Sequence, residues 1–184
     1  RGGLPGAATV YCVKNAAIEK RGQRVFKIDQ NSYTILDGAM GTMLQKSGLA
    51  PGAQPELVTL RDPALVESIH RAYVEAGARV ICANTFGANA LKLSGSGHSV
   101  EEVIAAAVAA AKRACTGTQA RVALDLGPLG ELLEPSGTLS FERAYELYAQ
   151  AARAGAAAGA DLVLLETMTD LYEVKAGVLA VREN

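Results

Sequence analysis

From residue 33 onward, apolar positions along the chain follow two alternating patterns: stripes at helical spacing, and short continuous runs between them. Leu65, Val66, Ile69, Tyr73 and Ala76 form the first stripe. Asp62-Pro63 opens it with a capping acceptor and a proline at the first helical position, and Gly77 closes it. Val103, Ile104, Ala107, Val108 and Ala111 form the second, opened by Ser99 with Glu102 three residues on, the pattern of a capping box. Ala144, Leu147, Tyr148 and Ala151 follow Ser140. Leu171, Val174, Val178 and Val181 follow Asp170, and Glu173 suggests a second capping box. The apolar runs at 33–36, 80–83, 122–126 and 162–165 predict strands buried on both faces. A long loop joins the first strand to the first full helix, with one helical turn at 42–46 stopped by Gly48.

Strands alternating with helices imply parallel pairing through crossover helices. The segment Ala76-Gly77-Ala78-Arg79-Val80-Ile81-Cys82-Ala83-Asn84-Thr85 echoes Ala158-Gly159-Ala160-Asp161-Leu162-Val163-Leu164-Leu165-Glu166-Thr167, at two units of 41 residues. The polar residues closing the strands, Asp37, Asn84, Asp125 and Glu166, are spaced by 47, 41 and 41. Even spacing predicts a parallel (β/α)8 TIM-type barrel, an α/β fold in which every unit fills the same angular slot. A doubly wound open sheet is the alternative, but Asp37-Gly38-Ala39-Met40-Gly41 lacks the spacing of a dinucleotide loop. Eight such units need roughly 300 residues, so this chain reads as the first four, with open edges at the first and fourth strands.

Composition narrows the function classes. The chain has 184 residues, 49% hydrophobic and 20% charged, with no Trp and a net charge of -1. No apolar run is long enough to span a bilayer, so no membrane partner is expected. Six basic and two acidic side chains fall in residues 1–32, and the remainder is mildly acidic, which argues against nucleic acid. Residues 1–32 lack the apolar core of a secretory signal; they read as a basic leader, disordered or outside the domain. Cys12, Cys82 and Cys115 show no paired spacing, which suggests a reducing, cytoplasmic compartment. Cys82 reads as a plain core thiol and Cys115 as lying at the far end of the barrel. His70 and His98 read as solvated surface.

The C-terminal strand ends of a barrel converge on one mouth, where ligands are handled. Asp37, Asn84, Asp125 and Glu166 all reach it. Carboxylates there suit a ligand ammonium or acid–base chemistry, and the competing reading is that each simply caps a turn. Gly38 and Gly41 could offer bare backbone amides to a carboxylate, or simply supply a positive φ.

Asp37-Gly38-Ala39-Met40-Gly41-Thr42-Met43-Leu44-Gln45 resembles the opening motif of the homocysteine S-methyltransferase family. Asn84-Thr85-Phe86-Gly87-Ala88-Asn89 is similar to its second-strand motif and Leu165-Glu166-Thr167 to its fourth. Glu67-Ser68-Ile69-His70-Arg71-Ala72-Tyr73 and Gly127-Pro128-Leu129-Gly130 also match. Leu132-Leu133-Glu134-Pro135 and Gly137-Thr138-Leu139-Ser140 look closer to the cobalamin-dependent methionine synthase branch. The resemblance covers 33–184, the N-terminal half of a homocysteine-binding barrel. It implies that Asp37, Gly38 and Glu166 hold the amino-acid end of L-homocysteine, with Glu166 the partner of its ammonium and the turn at Gly38 receiving its carboxylate, and Asn84 and Asp125 behind them. It further implies a Zn²⁺ that turns the substrate thiol into thiolate, held by three cysteines from the sixth and eighth strands. None of those ligands falls in this chain, so no metal ligand or catalytic residue is assigned and the fragment is expected to be inactive alone. The methyl donor stays open among methylcobalamin, S-methylmethionine and betaine, delivered as a small molecule or by a separate module. Two other readings stand beside this one: a non-catalytic amino-acid-binding or assembly half-barrel, and an unrelated barrel enzyme using Asp125 and Glu166 as acid and base.

Overall fold

The structure is a computed structural model and describes residues 11–13 and 33–184. Apart from the backbone of 11–13, the leader expected at 1–32 lies outside the described residues. The strands are β1 (Tyr11–Val13), β2 (Val80–Cys82), β3 (Arg121–Leu126) and β4 (Leu162–Leu165). The helices are α1 (Met40–Lys46), α2 (Val58–Arg61), α3 (Pro63–Glu75), α4 (Val100–Ala114), α5 (Phe141–Ala157) and α6 (Leu171–Glu183), with a 3-10 turn at Pro55–Leu57 before α2.

β2, β3 and β4 run parallel in sequence order, with Cys82 beside Ala123 and Asp125 beside Leu164. This is the expected α/β alternation, and the sheet is open rather than closed into a barrel. The first expected strand is reduced to one parallel bridge, Leu36 to Val80. The amide of Asp37 donates to the Val80 carbonyl at 3.0 Å and that of Arg79 to Ile35 at 2.8 Å. Too few consecutive ladder bonds form for a full strand, because Tyr33 and Ile35 are exposed and bury little. The fourth-strand edge, expected to be open, pairs antiparallel with β1, from Tyr11 beside Leu165 to Val13 beside Val163. An uncovered edge presents unpaired N–H and C=O groups, and another strand of the chain satisfies them.

Side-chain alternation splits the sheet between two cores. Ile81, Val122, Leu124, Val163 and Leu165 join the large cluster beneath α4, α5 and α6. Val80, Ala123, Leu162 and Leu164 pack on the other face with Leu36 and Cys82. The helix starts follow the expected caps. Asp62 accepts from the Leu65 amide, Ser99 from Glu102, Ser140 from Arg143 and Asp170 from Tyr172. The loop after the first strand is more helical than expected, since α1, the 3-10 turn and α2 bury Leu44, Leu57 and Thr59.

The reciprocal half of the second capping box does not form. Glu173 turns inward, buried, and its Oε1 accepts from the Leu129 amide at 2.7 Å and lies 3.0 Å from the Tyr148 hydroxyl. Burying an acceptor against an otherwise unpaired backbone donor outweighs a solvated cap bond. The buried face of α6 is consequently Glu173, Val174, Ala176, Gly177, Ala180 and Val181, while Leu171 is exposed.

Candidate functional site

Each strand's last inward residue, carried by the two-residue period, sets a polar group at the same end of the sheet. On β3, Ala123 faces the inner core, and Asp125 follows two residues later, buried. Thr85 locks this position: its Oγ1 donates to the Asp125 carbonyl at 2.8 Å and accepts the Asp125 amide at 3.0 Å. On β4, Leu162 and Leu164 lead in the same way to Glu166, which is half-buried. Asp37 leaves the Leu36 bridge and accepts the Cys82 amide on Oδ2 at 2.9 Å, with its side chain 4% exposed.

Three carboxyl groups thus follow separate strands at the same end of the sheet, and burial together with neighbouring charge shifts them. Burial pushes the Asp37 carboxyl up to about 6, with the charge of Glu166 adding to the rise. Asp125 is raised well above the ordinary range by burial first, then by Glu166, Asp37 and Glu56. Its Oδ1 has no hydrogen-bond partner. Glu166 is raised by burial. Like charges brought together out of water resist ionising together, and a cation entering among them relieves that repulsion. The arrangement is chemically suited to a compact ammonium.

Gly38 stands beside these strand ends for a steric reason. A Cβ there would sit 2.9 Å from Cε1 and the hydroxyl oxygen of Tyr73, so a side chain at this position would have to displace the Tyr73 ring; a positive φ is not involved. Gly41 lies within α1 in open space. Asn84 is brought to the same end of the sheet but turns its amide the other way. Its Nδ2 donates to the Pro55 carbonyl at 2.7 Å and to Thr59 Oγ1 at 3.0 Å, pinning the 3-10 turn and α2 against β2.

Three features escaped the sequence reading. His70 is fully buried, not solvated, with Nδ1 4.0 Å from Asp37 Oδ2. Its place four residues after Val66 and three before Tyr73 puts it on the apolar stripe, the signal that marks it as interior. Thr167, directly after Glu166, holds φ at 57°, a conformation costly for a β-branched residue and one that gathers at functional sites. Buried Glu56 accepts the Gly87 amide at 2.7 Å and contributes to the field on Asp125. Cys82 lies on the inner face among these acids, which with burial drive its thiol far up and keep it protonated. Cys115 caps the end of α4, buried. His98 pairs with Glu102 at 3.1 Å on the surface. Among the described residues no three His, Cys, Asp or Glu side chains cluster as a metal site, and no helix is long and apolar enough to cross a membrane.

The family model described as Homocysteine S-methyltransferase matches residues 34–184. Methionine synthase of Mycobacterium tuberculosis is 33% identical over 159 residues, covering 79% of this chain and 13% of that protein. Methionine synthase of Mycobacterium leprae is 33% identical over 160 residues, with the same coverage, 79% and 13%. The chain therefore spans about an eighth of the length of these curated relatives. Among solved structures, the homocysteine methyltransferase MmuM of Escherichia coli in its metallated form superposes with a TM-score of 0.67 at 24% identity, covering 80% of this chain and 58% of that one. Its apo form gives a TM-score of 0.58 at 26% identity, covering 80% and 54%.

Proposed function

The chain belongs to the homocysteine S-methyltransferase family, and from that premise we propose that it is the substrate-orienting half of a zinc-dependent enzyme that methylates L-homocysteine to methionine. Residues 33–184 would form the first four units of a (β/α)8 barrel completed by a second half. The observation that carries this reading is that Asp37, Asp125 and Glu166 follow three strands at the same end of the sheet, with Asp37 and Asp125 buried there. Glu166, half-buried and nearest to water, meets the substrate ammonium, with Asp37 beneath it. The backbone turn at Gly38, kept bare by Tyr73, receives the substrate carboxylate. Asp125 lies behind as a buried acid, and Asn84 holds the neighbouring helical corner in place.

The residues present do not fit the zinc that the family implies. Cys82 is a buried protonated thiol among carboxyl groups, and Cys115 sits at the C-terminal end of α4, away from the strand ends that carry them. The work of this chain is to bind and orient the amino-acid end of the substrate. The methyl donor lies outside that work.

Calorimetric titration of L-homocysteine into the chain tests the proposal. Binding at pH 7.5 is expected, weakened at least tenfold by Glu166→Gln, a loss of about 1.4 kcal/mol or more from one charge-assisted contact. Wild-type chain that takes up no L-homocysteine would sink it. The pairing of β1 on the β4 edge favours a second reading, an amino-acid-binding half-barrel with no catalytic partner. Size-exclusion chromatography with and without ligand separates the two: a stable, ligand-binding species that never recruits a second half supports the second.

A further inference from the structure

α3 places His70 on its buried face with no exposed surface, and neither ring nitrogen has a hydrogen-bond partner. An unpaired buried polar group costs about 1–3 kcal/mol, and interiors rarely keep one without a use. A carboxyl group stands next to this ring: Nδ1 lies 4.0 Å from Asp37 Oδ2. That same oxygen already accepts the Cys82 amide, so it is held against the end of β2.

We propose that His70, as its Nδ1–H tautomer, is a positioning residue for Asp37: it closes onto Oδ2 and so aims the other carboxyl oxygen at the ammonium of an α-amino acid ligand. The ligand half of this statement rests on the homocysteine reading above; the contact between the two side chains does not. Burial holds the imidazole neutral, down to about 4, so the ring offers one donor and one acceptor. Its single donor gains most by meeting a carboxylate, where the bond is charge-assisted. The titratable groups nearest the pair are Tyr73 from α3, Cys82 from β2, Asp125 from β3 and Glu166 after β4. None of them is a cation that could take the place of His70. Arg71, next in sequence, turns outward to Glu67 at 2.9 Å.

Nuclear magnetic resonance on the intact 184-residue chain, with ¹⁵N-labelled histidine and ¹³C-labelled aspartate, tests this without ligand. The His70 ring is expected as the Nδ1–H tautomer, and His70→Leu is expected to raise the Asp37 titration midpoint by roughly one unit, since a donor to the charged form is lost. His70→Asn, which keeps a donor near the Nδ1 position, is expected to restore it. An Nε2–H tautomer, or an Asp37 midpoint unmoved by His70→Leu, overturns the proposal. The tautomer is read on the unaltered chain, so it decides the matter even if a variant fails to fold. Homocysteine affinity at pH 7 should fall about tenfold in His70→Leu and recover in His70→Asn. Unaltered chain that binds no homocysteine would overturn the ligand half and leave the tautomer to decide the contact.

Discussion

Asp37 and His70 move their protons in opposite directions on folding, and the consequence is measurable. Asp37 is raised to about 6, so its folded form keeps a proton that the unfolded chain has already lost; that contribution is present at low pH and disappears as pH rises through 6. His70 is lowered to about 4, so its contribution is present above the ordinary histidine range and disappears as pH falls through 4. Between pH 4 and 6 the folded and unfolded states hold one proton each on this pair, and the two slopes cancel. His70→Leu removes one side of the balance. Relative to wild type, its unfolding free energy should rise by about 1.4 kcal/mol per unit of acidification from pH 6 to pH 4, as read from urea melts; parallel curves would contradict the pairing of these shifts. The same carboxyl groups predict that L-homocysteine binding weakens as pH drops through about 6, when Asp37 takes up its proton. Thr167 offers a separate test at this scale. Left-handed backbone costs a side-chain-bearing residue roughly 1–2 kcal/mol, part of which glycine returns as unfolded-state entropy. Thr167→Gly should therefore stabilise the chain by about 0.5–1 kcal/mol in thermal unfolding while disturbing the neighbouring Glu166.

Individual helices are placed by a few contacts that outweigh intrinsic propensity. Gly155 lies inside α5, where alanine would ordinarily gain about 1 kcal/mol. A Cβ there would stand 2.6 Å from Leu124 of β3, and overpacking a well-filled core costs about 1–3 kcal/mol. Gly155→Ala is expected to destabilise by about 1 kcal/mol in denaturant titration, the reverse of the propensity rule. α6 is held by a different device. Glu173 carries the Gly127-Pro128-Leu129-Gly130 turn through the Leu129 amide, and the Tyr148 hydroxyl lies 3.0 Å from that carboxylate and 3.1 Å from the Gly127 carbonyl. Glu173→Ala strips the partner from the buried Leu129 amide, while the Tyr148 hydroxyl keeps the Gly127 carbonyl, and should cost about 1–3 kcal/mol, with loss of amide protection at Leu129 in hydrogen exchange. Full protection at that amide in the variant would show that the turn stands without α6.

Across the whole molecule, three parallel strands are covered on one face by α4, α5 and α6 and meet a small apolar cluster on the other. β1 lies on the β4 edge, running opposite to the parallel strands. Removing residues 1–13 should bare three residues of that edge and promote self-association, visible as a rise in light scattering; an unchanged monomer would show that the edge is covered in some other way. The strand and helix order was legible in the sequence because 41-residue spacing, helical stripes and cap residues are local patterns. β4 and the caps at Asp62, Ser99, Ser140 and Asp170 fall where those patterns put them. The first strand was overdrawn, since Tyr33 and Ile35 have an apolar pattern without a partner to bury them. Of the acidic strand ends, Asp37, Asp125 and Glu166 were legible from their positions after the apolar runs. His70 was read as surface although its place on the α3 stripe marks it as interior, and Glu173 was read as a cap because its partners Leu129 and Tyr148 lie far from it in the chain.

The amino-acid sequence alone determined the alternation of elements, the residues that begin each helix and the acids that close the strands, because each of these follows from backbone periodicity and hydrogen bonding within a few residues. Tertiary structure decided which of those groups meet. The burial of His70 against Asp37, the shared field of three carboxyl groups and the strand that covers β4 all join segments far apart in the chain. Desolvation and through-space charge depend on those neighbours, and so does the chemistry of the site.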